Sequence, residues 1–161
     1  MKNLILIRHA KATQDFSFKD FDRDIISKGI QNSILVAEKS KSFVNSSFTI
    51  WASSAVRAHE TCKFFVKYWE LEINQVILKD NLYTFDSNTL EKIIKSCPDT
   101  IENLVIFGHN NALTDFANQY GSQYIDSIPT SGLVSIIFDV ASWQTINKGK
   151  TDKIIFPNHS V

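Results

Sequence analysis

The chain is 161 residues long and 43% hydrophobic, which suits one globular domain with a core of its own. Lysine plus arginine equals aspartate plus glutamate at 17 each, so the charge balance argues against nucleic acid or a membrane as the main partner. No apolar run approaches the roughly twenty residues of a membrane span, and no signal peptide or cysteine motif is present, so we expect a cytoplasmic protein.

Short apolar runs alternate with helical patterns along the chain, which predicts an α/β fold. The predicted strands are continuous runs rich in branched residues, as expected where a sheet is covered on both faces. They lie at 3–7, 48–51, 75–78, 103–107, 133–139 and 153–156. Four helices are predicted between them, and their expected N-terminal capping residues are Ser27, Ser53 or Ser54, Asn88 in a capping box with Glu91, and Asn110.

The segment 13–26 is rich in phenylalanine and aspartate and has no helical or strand period. We predict an ordered loop directly after the first strand, where open α/β sheets place their binding sites. We expect Phe16, Phe18 and Phe21 to pin this loop to the core. Its acidic residues lack the glycine and the distal glutamate of a calcium loop, so we expect no metal there.

Arginine and histidine side chains follow three of the predicted strands. Arg8 and His9 come directly after the first strand. Arg57 lies shortly after the second strand, and His109 follows the fourth. If these strands are parallel, the four side chains meet at one edge of the sheet. Two guanidinium groups and two imidazoles form an anion pocket, and phosphate is the expected occupant.

These segments resemble motifs of the histidine phosphatase superfamily. Residues 6–12 look like its RHG-type motif, and residues 53–61 look like its S-x-A-x-R-A-x-x-T segment. Residues 108–110 are similar to its second histidine motif. Residues 22–29 and 129–132 resemble segments of its short SixA-like phosphohistidine phosphatase branch.

The resemblance covers nearly the whole chain and implies a single histidine phosphatase domain over residues 1–161. The implied fold is phosphoglycerate mutase-like: a three-layer α/β/α sandwich with a mostly parallel central sheet of about six strands. The alternating strand and helix patterns agree with such a fold.

The resemblance also implies roles for individual residues. His9 would be the nucleophile that accepts the phosphoryl group. Arg8, Arg57 and His109 would complete the catalytic set and bind the phosphoryl oxygens. Asp15 falls where relatives carry Asn or Asp near the phosphate, although an added carboxylate repels phosphate unless an arginine neutralises it.

The implied chemistry needs no metal or cofactor. A neutral imidazole is a good nucleophile near neutral pH without a separate base. The flanking guanidinium groups supply the positive charge that stabilises phosphoryl transfer. Water then hydrolyses the phosphohistidine intermediate.

Many relatives that cleave phosphate esters protonate the leaving oxygen with a carboxylic acid from the loop after the third strand. Here residues 79–86 contain no glutamate, and the candidates are Asp80 and Asp86, of which Asp86 is more simply a helix-start residue. The imidazole of a phosphohistidine leaves easily without a strong acid, so the absence favours P–N cleavage. Lys11, His59 and His159 are expected to take no part.

The leading hypothesis is therefore a phosphatase that acts on protein phosphohistidine. The second is a metal-independent phosphomonoesterase for a small phosphorylated metabolite. A third is an inactive module that binds phosphohistidine. A Rossmann-like nucleotide binder is disfavoured, because no glycine-rich turn follows the first strand.

Overall fold

The computed structural model describes residues 1–157, in which six strands and four α-helices alternate. The strands are β1 (Lys2–Arg8), β2 (Phe48–Ser53), β3 (Val76–Lys79), β4 (Asn103–Gly108), β5 (Leu133–Phe138) and β6 (Lys150–Ile155). The helices are α1 (Ser27–Ser40), α2 (Val56–Tyr68), α3 (Ser87–Lys95) and α4 (Ala112–Tyr120). Every predicted strand is present, but β6 begins at Lys150 rather than at 153. Across residues 1–157, no helix has the length and apolarity needed to cross a membrane.

The strands form one sheet in the order β3-β2-β4-β1-β5-β6. Neighbours among β3, β2, β4 and β1 are parallel, whereas β5 is antiparallel to both β1 and β6. The prediction of a mostly parallel sheet is therefore confirmed. This topology places the carboxyl ends of β1, β2 and β4 at one edge, where α/β sheets bind ligands.

Successive side chains of β1 enter two different cores. Leu4 and Leu6 pack on one face with residues of α3 and α4, whereas Ile5 and Ile7 pack on the other with residues of α1 and α2. A strand buried on both faces must be apolar at every position, which explains its continuous run of branched residues. The predicted three-layer α/β/α sandwich is confirmed.

The capping predictions for α1 and α2 are wrong. Ser27 is the first residue inside α1 and does not cap it. No side chain caps α2, which begins after Ala55. The Ser53 hydroxyl accepts the Ala55 N–H at 3.2 Å, and the Ser54 hydroxyl donates to Asp80 at 2.5 Å. Both hydroxyls thus bond to groups outside the helix.

The capping box predicted for α3 is also wrong. Asp86 is the N-cap, and its carboxylate accepts the Thr89 N–H at 3.1 Å. Asn88 lies inside the helix instead, two residues too late to cap it. α4 begins two residues after Asn110, whose side chain accepts the Thr114 N–H at 3.1 Å.

Candidate active site

The carboxyl ends of β1, β2 and β4 bring together the four side chains singled out in the sequence. Arg8, His9 and Arg57 line one cleft of about 360 Å³. The ring of His109 lies next to these residues, and its centroid is 5.2 Å from the centroid of the His9 ring. Other residues lining the cleft include Lys11, Gln14, Asp20, Arg23, Phe85 and Asn110.

The imidazole of His9 is held in a single tautomer. Its side chain is only 9% exposed, and its Nδ1 lies 2.8 Å from the carbonyl oxygen of Ala10. A carbonyl oxygen can only accept, so Nδ1 carries the proton and donates it. In the neutral ring the lone pair then belongs to Nε2, which is the nitrogen available for nucleophilic attack.

Backbone hydrogen bonds fix the segment that carries His9. The His9 N–H donates to the carbonyl of Gly108 at 3.1 Å, and the His9 carbonyl accepts the N–H of Ser131 at 3.2 Å. The hydroxyl of Thr61 accepts the Ala10 N–H at 2.7 Å and donates to the Arg57 carbonyl at 2.6 Å. Thr61 thus ties the first turn of α2 to the nucleophile segment, a role that the sequence pattern did not reveal.

We assign the opposite tautomer to His109. Its Nε2 lies 2.8 Å from the hydroxyl oxygen of Ser53. That oxygen accepts the Ala55 N–H and, in this assignment, donates its own proton to Nε2. The proton of the neutral His109 ring then sits on Nδ1. The rings of Tyr83 and Phe85 pack edge-on against it, at centroid distances of 5.3 and 5.5 Å.

Burial keeps both histidines uncharged. Desolvation lowers the pKa of His9 to about 3, helped by the nearby His109, Arg57 and Arg8, against a smaller raising effect of the Ala10 hydrogen bond. Desolvation and the same two arginines also lower the pKa of His109 to about 3. At neutral pH, the rings of His9 and His109 are therefore both uncharged.

Three buried side-chain nitrogens around His9 have no hydrogen-bond partner. They are Nε of Arg8, Nε of Arg57 and Nδ1 of His109, and no other buried side-chain nitrogen or oxygen within residues 1–157 lacks a partner. Both arginine Nε atoms carry protons, as Nδ1 of His109 does in the tautomer assigned above, and leaving a buried donor unpaired costs about 1–3 kcal/mol. Unpaired donors on two arginines and a histidine are suited to binding an oxyanion.

The outer sides of both guanidinium groups are occupied by protein atoms. Arg8 donates through Nη1 to the carbonyl of Ile128 at 2.9 Å. Arg57 donates through Nη1 to the carbonyl of Asp20 at 2.7 Å and through Nη2 to its carboxylate at 3.0 Å. These contacts engage Nη1 of Arg8 and both Nη atoms of Arg57, and they leave both Nε atoms without a partner.

Asp20 is a site residue that the sequence patterns did not single out. Its carboxylate also accepts from Arg23 Nη2 at 3.0 Å and from the Tyr83 hydroxyl. The Tyr83 hydrogen bond, followed by those from Arg23 and Arg57, holds the pKa of Asp20 well below its usual range. The spacing of Asp20 and Arg23, three residues apart, was the one sequence signal for this pair.

The structure does not bring the other candidate acids into the cleft. Asp15 is exposed, and its carboxylate accepts the N–H and hydroxyl of Ser17 at 3.0 and 2.7 Å. Asp80 accepts from Ser54, and Asp86 caps α3. Asp20 is the only carboxylate among the described residues that line the cleft.

The loop that bears Asp20 is held mainly by polar contacts, and the aromatic contact between Phe21 and Tyr83, at 5.3 Å between ring centroids, lies at the surface. Phe16 and Phe18 are 80% and 54% exposed, and Phe21 is also exposed, so the prediction that they pin the loop to the core is wrong. Backbone hydrogen bonds fix the two ends of the loop instead, between Thr13 and Asp24 and between Ile26 and Lys11. Apolar side chains in this loop therefore remain on the surface.

Three residues were expected to take no part in the chemistry, and they lie in different places. Lys11 is exposed, although it lines the cleft. His59 is half-buried on α2 and is not among the residues lining the cleft. His159 lies outside the described residues. Residues 1–157 contain no group of three or more His, Cys, Asp or Glu side chains arranged to hold a metal ion.

No protein-family model and no curated protein sequence matches the chain. Solved structures do match it over almost its full length. The protein histidine phosphatase SixA, in complex with tungstate, gives a TM-score of 0.80 at 16% identity, over 96% of this chain and 97% of that one. A protein from Agrobacterium tumefaciens assigned as a SixA phosphohistidine phosphatase gives 0.78 at 18% identity, with the same coverage.

The chain has the fold of the SixA phosphatases. A mycobacterial glucosyl-3-phosphoglycerate phosphatase in complex with VO3 shares it more distantly, with a TM-score of 0.69 at 9% identity over 95% of this chain and 98% of that one. The phosphoglycerate mutase-like fold predicted from the sequence motifs is thereby confirmed.

Proposed function

We propose that this protein is a cytoplasmic phosphatase of the histidine phosphatase superfamily, with His9 as its nucleophile and protein phosphohistidine as its substrate. The observation that carries the proposal is the set of three unpartnered donors, on Arg8, Arg57 and His109, beside the lone pair of His9 Nε2. Two structures of the same fold were solved with oxyanions, tungstate in one and VO3 in the other.

The reaction proceeds in two displacements at phosphorus. His9 Nε2 attacks the phosphoryl group, the P–N bond of the substrate breaks, and its electron pair returns to the departing nitrogen. The Ala10 carbonyl keeps the Nδ1 proton throughout, so phosphorylated His9 is a cationic ring and itself a good leaving group. Water then attacks the phosphorus, the bond to Nε2 breaks, and inorganic phosphate is released.

The three donors supply the stabilisation that this reaction needs. Negative charge is spread over the equatorial phosphoryl oxygens as the group transfers, and the donors of Arg8, Arg57 and His109 stabilise that charge. Their outer contacts are satisfied by protein, so little reorganisation accompanies binding. We leave Asp15 out of the phosphate site, because its carboxylate is engaged with Ser17.

The proposed substrate class follows from the lack, in the described part of the cleft, of a carboxylic acid that could protonate the leaving group. An alkoxide leaving group needs a proton, and the only carboxylate in the described part of the cleft, Asp20, is kept ionised by its partners. A phosphohistidine substrate can depart as a neutral imidazole. The mycobacterial phosphatase of the same fold acts on a glucosyl-3-phosphoglycerate, which keeps a small phosphate ester as the second candidate substrate.

Trapping the covalent intermediate tests the nucleophile. The purified protein is mixed with a protein that carries radiolabelled phosphohistidine and quenched in alkali, where phosphohistidine survives. We expect label on His9, and we expect His9→Ala to abolish both label and turnover. His59→Ala serves as the matched control, since His59 is not among the residues that line the cleft. Normal turnover by His9→Ala would overturn the assignment.

The substrate class is tested by comparing kcat/KM for phosphohistidine protein with kcat/KM for a panel of sugar and glycerate phosphates. A higher value for any small ester would replace the leading proposal with the metabolite phosphatase. Tight binding of phosphohistidine protein with no turnover would indicate an inactive binding module.

A further inference from the structure

Asp20 lies among three arginines at the cleft without being a proton donor. It stands at the start of the 3₁₀ turn Asp20–Asp22, and its side chain remains 48% exposed. Arg23 and Arg57 both pair with it at 3.0 Å, and Arg8 lines the same cleft. One carboxylate thus reduces the positive charge of a site that holds three guanidinium groups.

The guanidinium group of Arg57 links the Asp20 carboxylate to the proposed phosphoryl site. Arg57 binds Asp20 through both Nη atoms and keeps its buried Nε unpartnered. The oxygens of Asp20 already accept from Arg23, Arg57 and Tyr83, which fills most of the lone pairs of a carboxylate. Asp20 therefore acts on a bound substrate through its charge and not through a further hydrogen bond.

Leaving groups differ in the charge that they carry through the reaction. Phosphohistidine with a protonated ring brings a positive charge into the cleft, and the electron pair of the breaking P–N bond neutralises it as the imidazole departs. A phosphate ester departs as an anion when no acid protonates it. A fixed negative charge nearby favours the first transition state and disfavours the second.

We propose that Asp20 determines the substrate class of this site, by favouring N-phosphorylated bases with a protonated leaving nitrogen over esters with an anionic leaving group. This inference rests on the proposed function, since it assumes phosphoryl transfer to His9. It assigns to the loop after β1 a role in specificity that is separate from the binding of phosphate.

The test is a change of selectivity in Asp20→Asn, a variant of nearly the same shape that removes the charge and one of the two acceptor oxygens. Free phosphohistidine at pH 6 and p-nitrophenyl phosphate are the two probes. We expect kcat/KM to fall about threefold for phosphohistidine and to rise about threefold for the ester, as expected for the loss of one unit charge in a partly solvated site. The selectivity ratio then changes about tenfold, and added salt reduces the difference.

Two further variants control the experiment. Asp22→Asn removes the same charge from the same turn at a residue that does not line the cleft, and we expect an unchanged ratio. Asp20→Glu restores the charge, and we expect it to restore most of the selectivity. A parallel fall with both probes in Asp20→Asn would show that Asp20 only orients Arg57, and would overturn the proposal.

The proposed function can fail separately. If the parent protein forms no phosphorylated His9 with either probe, the phosphatase assignment fails and the selectivity question does not arise. If label reaches His9 in both parent and Asp20→Asn but the selectivity ratio is the same, the phosphatase assignment stands and the role of Asp20 is refuted.

Discussion

His9 and His109 face the same cleft, yet they present opposite groups to it. The Ala10 carbonyl holds the proton of His9 on Nδ1, which leaves a lone pair on Nε2. In the tautomer assigned to His109, the Ser53 hydroxyl donates to Nε2, which leaves a proton on Nδ1. In the proposed mechanism, a nucleophile and an oxyanion donor thus arise from one residue type through different partners. The sequence indicated both histidines but gave no sign of these partners.

Loss of the Ser53 hydroxyl should weaken the hydrogen-bond donor on His109 Nδ1 without removing it. In Ser53→Ala, the proton of His109 is free to move from Nδ1 to Nε2, so part of the population presents a lone pair to the phosphoryl oxygen. We expect kcat/KM to fall by about tenfold, less than for outright removal of a donor. Steady-state kinetics and circular dichroism measure activity and folding.

Ser54→Ala is the matched control for this prediction. Ser54 neighbours Ser53 in the chain, but its hydroxyl bonds to Asp80, which does not line the cleft. We expect near-parental activity from it. Equal rates in the parent and Ser53→Ala would contradict the tautomer assigned to His109.

At the scale of elements, α1 packs its backbone against the segment that follows β1. A Cβ placed on Gly29 would lie 2.6 Å from the carbonyl oxygen of Lys11 and 2.9 Å from its nitrogen. At Gly108, by contrast, a Cβ would meet Leu113 at an ordinary 3.5 Å. A glycine pattern marks possible close approaches, but the approach itself depends on tertiary packing, which no local pattern contains.

Gly29→Ala should therefore destabilise the protein, although alanine is the better helix former. Backbone atoms must move to admit the methyl group, and we expect the free energy of unfolding to fall by about 1–3 kcal/mol. Urea unfolding followed by circular dichroism measures it. Gly108→Ala is the paired variant, and we expect it to leave stability equal or raised by no more than about 1 kcal/mol. A stabilised Gly29→Ala would contradict the packing of α1.

At the scale of the whole molecule, the sheet and the convergence of Arg8, His9, Arg57 and His109 at one edge could be predicted. Continuous apolar runs are a local signal that predicts the strands. In a parallel sheet, the residues that follow these strands lie together at one edge. The antiparallel pairing of β5 could not be predicted, because strand direction leaves no mark on a buried run. The exposure of Phe16 and Phe18 could not be predicted either, because the sequence does not show whether a core lies within reach of an apolar side chain.

Two buried neutral histidines also make the stability of the whole fold depend on pH. Burial lowers the pKa of both His9 and His109 from 6.5 to about 3, so between these values the unfolded chain binds protons that the folded chain does not. Stability must then fall as pH falls, by about 1.4 kcal/mol per pH unit for each histidine between about pH 6 and pH 4. Urea unfolding across this range measures the slope, and His9→Gln should remove about half of the histidine contribution. An unchanged slope in His9→Gln would show that His9 is not held neutral in the folded protein.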